Sequence, residues 1–244
     1  NLRYRSEDVA GNLEVTKTWE IKLDKTAPET TISLAGTLGN EGWYVSDVTV
    51  TLTATDNLSG VSRTEYSFDG TNWITYSSSF IISEEAIHNL RYRSEDVAGN
   101  LEVTKTQVIK LDKTAPEITI SGVENGAYYN HDVTPNIEFY DAVSGIDTSS
   151  VTLNGEDFES GSVLSEEDEY TLITETTDRA GHSSEQTITF TIDKTSPIIW
   201  TISVLDETGL DSIFSPNYDG LQDTVDISFT AIDSYLDTYQ VIID

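Results

Sequence analysis

The chain has 244 residues, with 43 acidic against 13 basic side chains and a formal net charge of −30. That sign of field makes nucleic acid and anionic membranes poor partners, since phosphate recognition needs the opposite charge, and it suits divalent cations better. There is no cysteine for a disulfide or thiolate metal site, and no apolar run approaches the roughly 18 residues of a membrane span.

Thr, Ser, Asp and Asn are abundant and helix-type periodicity is almost absent, which points to an exported all-β protein. The opening segment Asn1–Pro28 recurs at Asn89–Pro116, and among 28 aligned positions only Trp19/Gln107 and Glu20/Val108 differ. A looser copy follows as TDRAGH at Thr177–His182 and TFTIDKTSP at Thr189–Pro197. Such self-similarity reads as a tandem array of domains of about 80 to 90 residues, each closed by an acidic loop, a strand and a D-K-T-(A/S)-P linker. The expected organisation is a partial unit with its linker over 1–28, full domains over 29–116 and 117–197, and the start of a further unit over 198–244. A window of a longer protein is expected.

Taken in order, Leu2–Ser6 and Val15–Leu23 read as the last two strands of a unit, a hairpin with half a core that should be poorly ordered alone. In the linker Asp24–Pro28, proline fixes its own φ and pushes Ala27 into an extended conformation, so the connection is short and stiff. Val48–Thr55 follows as a strand in which Val48, Val50, Leu52 and Ala54 alternate with threonines, one face core and the other wet. Asp56–Gly60 is a turn, Val61–Phe68 a strand, Asp69-Gly70 a hairpin turn, and Leu90 and Tyr92 face inward between Arg91 and Arg93. The second domain repeats the plan: Ile137–Tyr140 leads into the turn Asp141–Gly145, Tyr170–Thr176 climbs into D-R-A-G-H, and Ile188–Ile192 closes it by alternation. Ile198–Leu205 and Thr224–Ala231 read as the first two strands of another unit. About seven short strands per domain with regular turns describe tandem immunoglobulin-like β-sandwiches.

These residues also carry a family resemblance. With GWY at Gly42–Tyr44, ATDNLSGV at Ala54–Val61 and YRSEDVAGN before KLDKTAP, the first domain resembles an extracellular Ig-like repeat of bacterial and archaeal surface proteins, of the spirochaete outer-membrane-protein type. The second, with TLNG, the D-R-A-G turn and FTIDKTSP, is similar to adhesin-type bacterial Ig-like repeats. FSPNYDGLQDT, from Phe214, is similar to the S-P-N-x-D-G-x-x-D loop of Ig-like modules at the C-terminal end of secreted bacterial proteins, with Tyr218 where glycine is common. The resemblance implies an extracellular or cell-surface location and, for adhesin repeats, calcium at domain junctions.

Immunoglobulin topology brings the second-to-third and sixth-to-seventh strand loops to the end where the preceding linker enters. Asp24 should therefore meet Asp56 and the Asp96–Asn100 loop, Asp112 should meet Asp141 and Asp178, and Asp193 should meet Asp233. Several oxygen ligands from separate loops is the arrangement a hard cation asks for. The other reading is that these acids are turn formers that accept nearby backbone N–H groups. His182 stands where Asn100 does, a poorer oxygen cage. In FSPNYDGLQD, counting from Ser215, Asn217, Asp219, Leu221 and Asp223 fall at the third, fifth, seventh and ninth positions of a calcium loop, without flanking helices; a structural turn is the alternative there.

Trp43-Tyr44 and Tyr128-Tyr129 are read as packing under the sandwich edge in preference to a sugar platform. No nucleophile elbow, phosphate loop or HExxH motif is present, and the three histidines lack metal or catalytic spacing. The expected function is a non-enzymatic stalk or adhesin segment, with a surface-layer or filament subunit, or a spacer in a secreted hydrolase, as alternatives. Its partners would be other domains of the same long chain and a host, neighbouring-cell or surface-coat protein or glycan.

Overall fold

In the computed structural model, residues 1–206, 225–236 and 238 are described. They fall into two compact units: 1–117, 139–149 and 176–184 form the first, and 118–138, 150–175 and 185–244 the second.

The chain opens with an antiparallel hairpin of β1 (Leu2–Tyr4) and β2 (Lys17–Trp19). The first sandwich follows: β3 (Glu29–Ala35), β4 (Trp43–Tyr44), β5 (Val48–Thr55), β6 (Val61–Ser67), β7 (Ile74–Thr75), β8 (Phe80–Ile82), β9 (Ala86–Asp96) and β10 (Lys105–Leu111). One sheet has the order β3-β5-β8 and the other β4-β10-β9-β6-β7. Every pairing is antiparallel except that of β4 with β10. A first strand divided between two sheets, its second half parallel to the last strand, is immunoglobulin-like topology and makes this an immunoglobulin-like β-sandwich.

Alternation puts Val48, Val50 and Leu52 of β5 against Leu90 and Tyr92 of β9 and Ile109 and Leu111 of β10, all buried. Each fully buried leucine contributes about 2 kcal/mol of apolar transfer. Truncating Leu90, which is 0 % exposed, to alanine costs that plus a cavity, about 2–5 kcal/mol. Trp43 is buried in β4 with the Lys110 ammonium over its ring at 5.6 Å, so the Trp43-Tyr44 pair packs the edge. β4 and its counterpart in the next sandwich are too short to show a period, which is why sequence alternation does not reveal them.

At the entry end of the sandwich the sheets are joined by a buried carboxylate. Glu102 accepts from Thr30 N–H at 2.8 Å, Thr30 Oγ1 at 2.5 Å and Ser94 N–H at 3.1 Å, and pairs with Lys105 Nζ at 2.9 Å. Lys105 in turn donates to the Thr30 carbonyl at 2.7 Å. Burial pushes the Glu102 pKa up, but the Thr30 hydroxyl and Lys105 more than offset it and leave the group below the ordinary glutamate range.

The second sandwich comprises β11 (Glu117–Ser121), β12 (Ala127–Tyr129), β13 (Asn136–Tyr140), β14 (Ile146–Leu153), β15 (Glu156–Asp157), β16 (Asp168–Asp178) and β17 (Ser183–Ile192). Its sheets run β11-β13 and β12-β17-β16-β14-β15, again with the short β12 parallel to the last strand. Leu172, Ile188, Phe190 and Ile192 form its core, and Tyr170 stacks on Phe190 at 5.3 Å. The first half of β14 is not marked in the sequence, because Asp147–Ser150 are all exposed and carry no alternation. Finally β18 (Ile198–Asp206) and β19 (Val225–Ile232) pair antiparallel.

Glu102→Ala should destabilise the first sandwich by about 2–3 kcal/mol in denaturant titrations, because it strands buried Thr30 and Ser94 N–H groups. Because folding lowers the Glu102 pKa, its contribution is complete above the ordinary glutamate value near 4.3 and drains away as pH falls through the folded-state value. The variant should accordingly lose less stability than the parent between about pH 5 and 3; an equal loss would remove Glu102 from the account.

Candidate metal site

Three aspartates from three segments meet in the first unit. Asp24 begins the linker, Asp56 follows β5, and Asp96 ends β9. One carboxylate oxygen from each lies within 4.8 Å of the other two.

Local turn chemistry explains how each is held. Asp56 Oδ1 accepts N–H from Leu58 at 3.0 Å and Gly60 at 2.7 Å, and Gly60 sits at φ +84°, where a side chain would be strained. Asp96 Oδ1 accepts the Asn100 N–H at 2.7 Å while Oδ2 takes the Asn100 side-chain amide at 2.7 Å. Asp24 Oδ1 accepts from Thr26 N–H at 3.0 Å, and Oδ2 reaches across to Ser59 N–H at 2.8 Å.

Asp56 Oδ2 and Ser59 Oγ are left over: both atoms are buried and neither has a hydrogen-bond partner. Among the described residues no lysine, arginine or histidine forms an ion pair with any of the three carboxylates. The Thr26 and Ser59 donors hold the Asp24 pKa below its ordinary value. At Asp96 burial pushes the pKa up, the Asn100 donors pull it down further, and the neighbouring Asp24 charge opposes them, for a net lowering.

The same frame recurs after β10. Asp112 Oδ1 accepts from Thr114 N–H at 3.1 Å and Oδ2 from Ser144 N–H at 3.1 Å, repeating the Asp24 pattern. Asp141 caps Val143 and Gly145 as Asp56 caps Leu58 and Gly60. Asp178 Oδ1 accepts N–H from Gly181 and His182, while His182 Nδ1 lies 3.0 Å from Oδ2. The ligand atoms that gather within 4.8 Å here belong to Asp112, Asp178 and His182; Asp141 stands outside that group.

His182 therefore occupies the Asn100 role, that of a group bonding back to the aspartate four residues earlier, and in this geometry both residues anchor an acid. Beside this second cluster, Asn40 donates its N–H to the Ala180 carbonyl at 2.9 Å, and a methyl on Gly39 would overlap that oxygen. At the third boundary, Asp193 Oδ1 takes Thr195 N–H and Asp233 Oδ1 takes Tyr235 N–H. Both aspartates line one cleft in the second unit, and neither belongs to a three-residue cluster of ligands among the described residues. Asn217, Asp219, Leu221 and Asp223 lie outside the described residues.

Sequence reasoning missed the groups that pin the linkers. Lys113 pairs with Asp47 at 2.8 Å and donates to Ser83 O, while Thr114 Oγ1 donates to Glu85 at 2.7 Å. Lys194 repeats this with Asp132 and Ser165 O, and Thr195 with Glu167. The repeated D-K-T triplet was the available clue, since at 112–114 and 193–195 each residue of it has its own partner.

No protein-family model matches the chain, nor does any curated protein. Among solved structures, fibronectin(III)-like modules of CbhA from Clostridium thermocellum share 14 % identity over 67 % of this chain and 94 % of that one, at a TM-score of 0.30. A tetra-tandem repeat from the extending region of a large adhesion protein shares 14 % over 94 % and 69 %, at 0.35. The D00–D0 domain of intimin shares 10 % over 66 % and 99 %, at 0.34. At these TM-scores whole-chain superposition is loose, and the fold assignment rests on strand order.

In chelator, Asp56→Asn should raise the melting temperature of the first sandwich by a few degrees, because it removes one of three adjacent like charges and replaces a bare buried oxygen. A drop of similar size in metal-free buffer would show that the cluster is not self-repelling.

Proposed function

We propose that this chain is a segment of a non-enzymatic extracellular stalk or adhesin, and that a calcium ion at Asp24, Asp56 and Asp96 stiffens the entry to the first sandwich. The single observation carrying the ion is the buried, unpartnered Asp56 Oδ2 beside two further carboxylates. Calcium takes 6 to 8 oxygens at about 2.3–2.6 Å, so ligands on opposite sides of one ion lie up to about 5 Å apart. Three oxygens within 4.8 Å of one another satisfy that limit.

The all-oxygen donor set suits a hard cation, with remaining positions left to backbone carbonyls and water. When bound, the ion supplies positive charge; the chain's own residues supply the cradle, with Thr26, Ser59 and Asn100 orienting the carboxylates. The second cluster is a weaker candidate, since His182 already engages Asp178. The extracellular, non-enzymatic reading draws support from tandem Ig-like modules and a strongly acidic, Ser/Thr-rich surface. In that role the partners are neighbouring modules of a longer chain and a protein or glycan on an opposing surface.

Calorimetric titration of calcium into chelator-treated protein should give one dominant site, with a stability gain of about 2.7 kcal/mol once calcium reaches a hundred times its dissociation constant. Asp56→Asn and Asp96→Asn should each abolish that heat while leaving both sandwiches folded. Absence of heat together with an unchanged melting curve would refute the site. Scattering profiles with and without calcium would then report whether stiffening follows, through a change in maximum dimension.

A further inference from the structure

The larger sheet of each sandwich turns one face to water, and the two faces carry opposite charge. In the first sandwich the odd residues of β9 and the even residues of β10 point outward, because Leu90, Tyr92, Ile109 and Leu111 fill the core. Register then sets Ile87 beside Lys110, Asn89 beside Val108 and Arg91 beside Thr106, and β6 adds Glu65 beside Arg93 and Arg63 beside Glu95. Residues 29–116 contain twelve acidic and six basic side chains, and four of those cations but only two of those acids lie on this face.

Arg93 pairs with Glu65 at 2.6 Å and Arg63 with Glu95 at 2.5 Å. Arg91 and Lys110 pair with no carboxylate among the described residues; each donates to a backbone carbonyl at 3.3 Å, that of Asp69 and that of Glu41. Ile87 and Val108, which lie between them, are 55 % and 46 % exposed.

The corresponding face of the second sandwich reverses the pattern. β9 and β16 are both eleven residues long and both end on the aspartate that meets a linker, which aligns Arg93 with Glu175, Ile87 with Glu169 and Arg91 with Ile173. Leu172, Ile188 and Phe190 are buried, so Glu169, Ile173 and Glu175 of β16 and Glu185 of β17 point outward. Residues 117–197 contain seventeen acidic and two basic side chains, and both cations, Arg179 and Lys194, lie outside the strands.

From this we infer that the Arg91–Lys110 face is a docking surface for a second copy of this chain, whose Glu169–Glu175 face it takes. Charge complementarity selects the partner, and shape agrees with it. A flat sheet encloses no small ligand, and neither nearby tryptophan is a free platform for a sugar: Trp43 is buried and Trp73 stacks on the Arg93 guanidinium at 3.9 Å. What remains exposed on both faces is aliphatic, and sheets pack flat on one another about 10 Å apart. Laid antiparallel with Ile87 over Ile173, Asn89 meets Thr171 and Arg91 meets Glu169. At the other end Lys110, level with Ile87, stands one step of about 7 Å from Glu175, within reach of a lysine. The two faces differ, so the contact is heterologous and every copy offers both halves of it.

The net charge of −30 gives this association a characteristic salt dependence. At about 0.01 M salt, where screening extends to about 30 Å, whole chains repel; at about 1 M even adjacent pairs are screened; near 0.15 M distant repulsion fades while contact pairs persist. Sedimentation of the full chain in chelator, which keeps calcium out of the comparison, should therefore show reversible association near 0.15 M salt that weakens at both extremes. Arg91→Glu with Lys110→Glu should weaken it about ten- to a hundredfold, as should Glu169→Lys with Glu175→Lys, because each turns two attractive contacts into repulsive ones. Melting of the sandwiches should stay unchanged in both. Mixing the two variants should restore association, since each then meets a face of opposite sign. Monomer at every ionic strength, parental association in either variant, or no recovery on mixing would each overturn the proposal. A persistent monomer retained on a polygalacturonate resin, with retention lost in Arg91→Glu with Lys110→Glu, would overturn it in favour of an anionic glycan.

Discussion

Aspartate side chains that accept the backbone N–H groups of a turn, in place of a carbonyl, determine where the loops of this chain can go. Asp24 and Asp112 do this twice over, once for the linker two residues ahead and once for the turn after the second strand. Aspartate suits the task because its short side chain reaches its own local backbone, which glutamate overshoots. The result is that carboxylates collect at the entry end of a sandwich as a by-product of closing turns. Their mutual repulsion is the condition that any bound cation would relieve, and the residue with an oxygen to spare is Asp56.

Much of the fold is legible in residue order because half-buried strands must alternate. Val48–Thr55 matches β5 end for end for that reason. Where alternation has no physical cause, it is missing: β4 is two residues long, and Asp147–Ser150 are wet throughout. The meeting of Asp24, Asp56 and Asp96 follows from topology once the linker's point of entry is known. What the sequence conceals is the donor side. Ser59 and Ser144 act through backbone N–H groups that any residue but proline could supply, so nothing in their identity marks the role. Likewise His182 in place of Asn100 looks like a loss of ligand, whereas in space it preserves a bond to the preceding aspartate.

With so few cations, their placement is telling. Lys105, Lys113 and Lys194 each bridge a carboxylate and a backbone carbonyl, so a single ammonium ties side-chain and main-chain acceptors together. Two of the three belong to D-K-T triplets, those at 112–114 and 193–195. In those two copies aspartate, lysine and threonine face separate partners, and no two of those roles can be filled by one residue.

Gly39 carries no side chain at the point where the Ala180 carbonyl arrives, and Asn40 donates its N–H to that oxygen. The asymmetry this creates is mechanical. These two turns can draw apart by giving up a hydrogen bond, but they cannot press closer, since main chain already meets main chain.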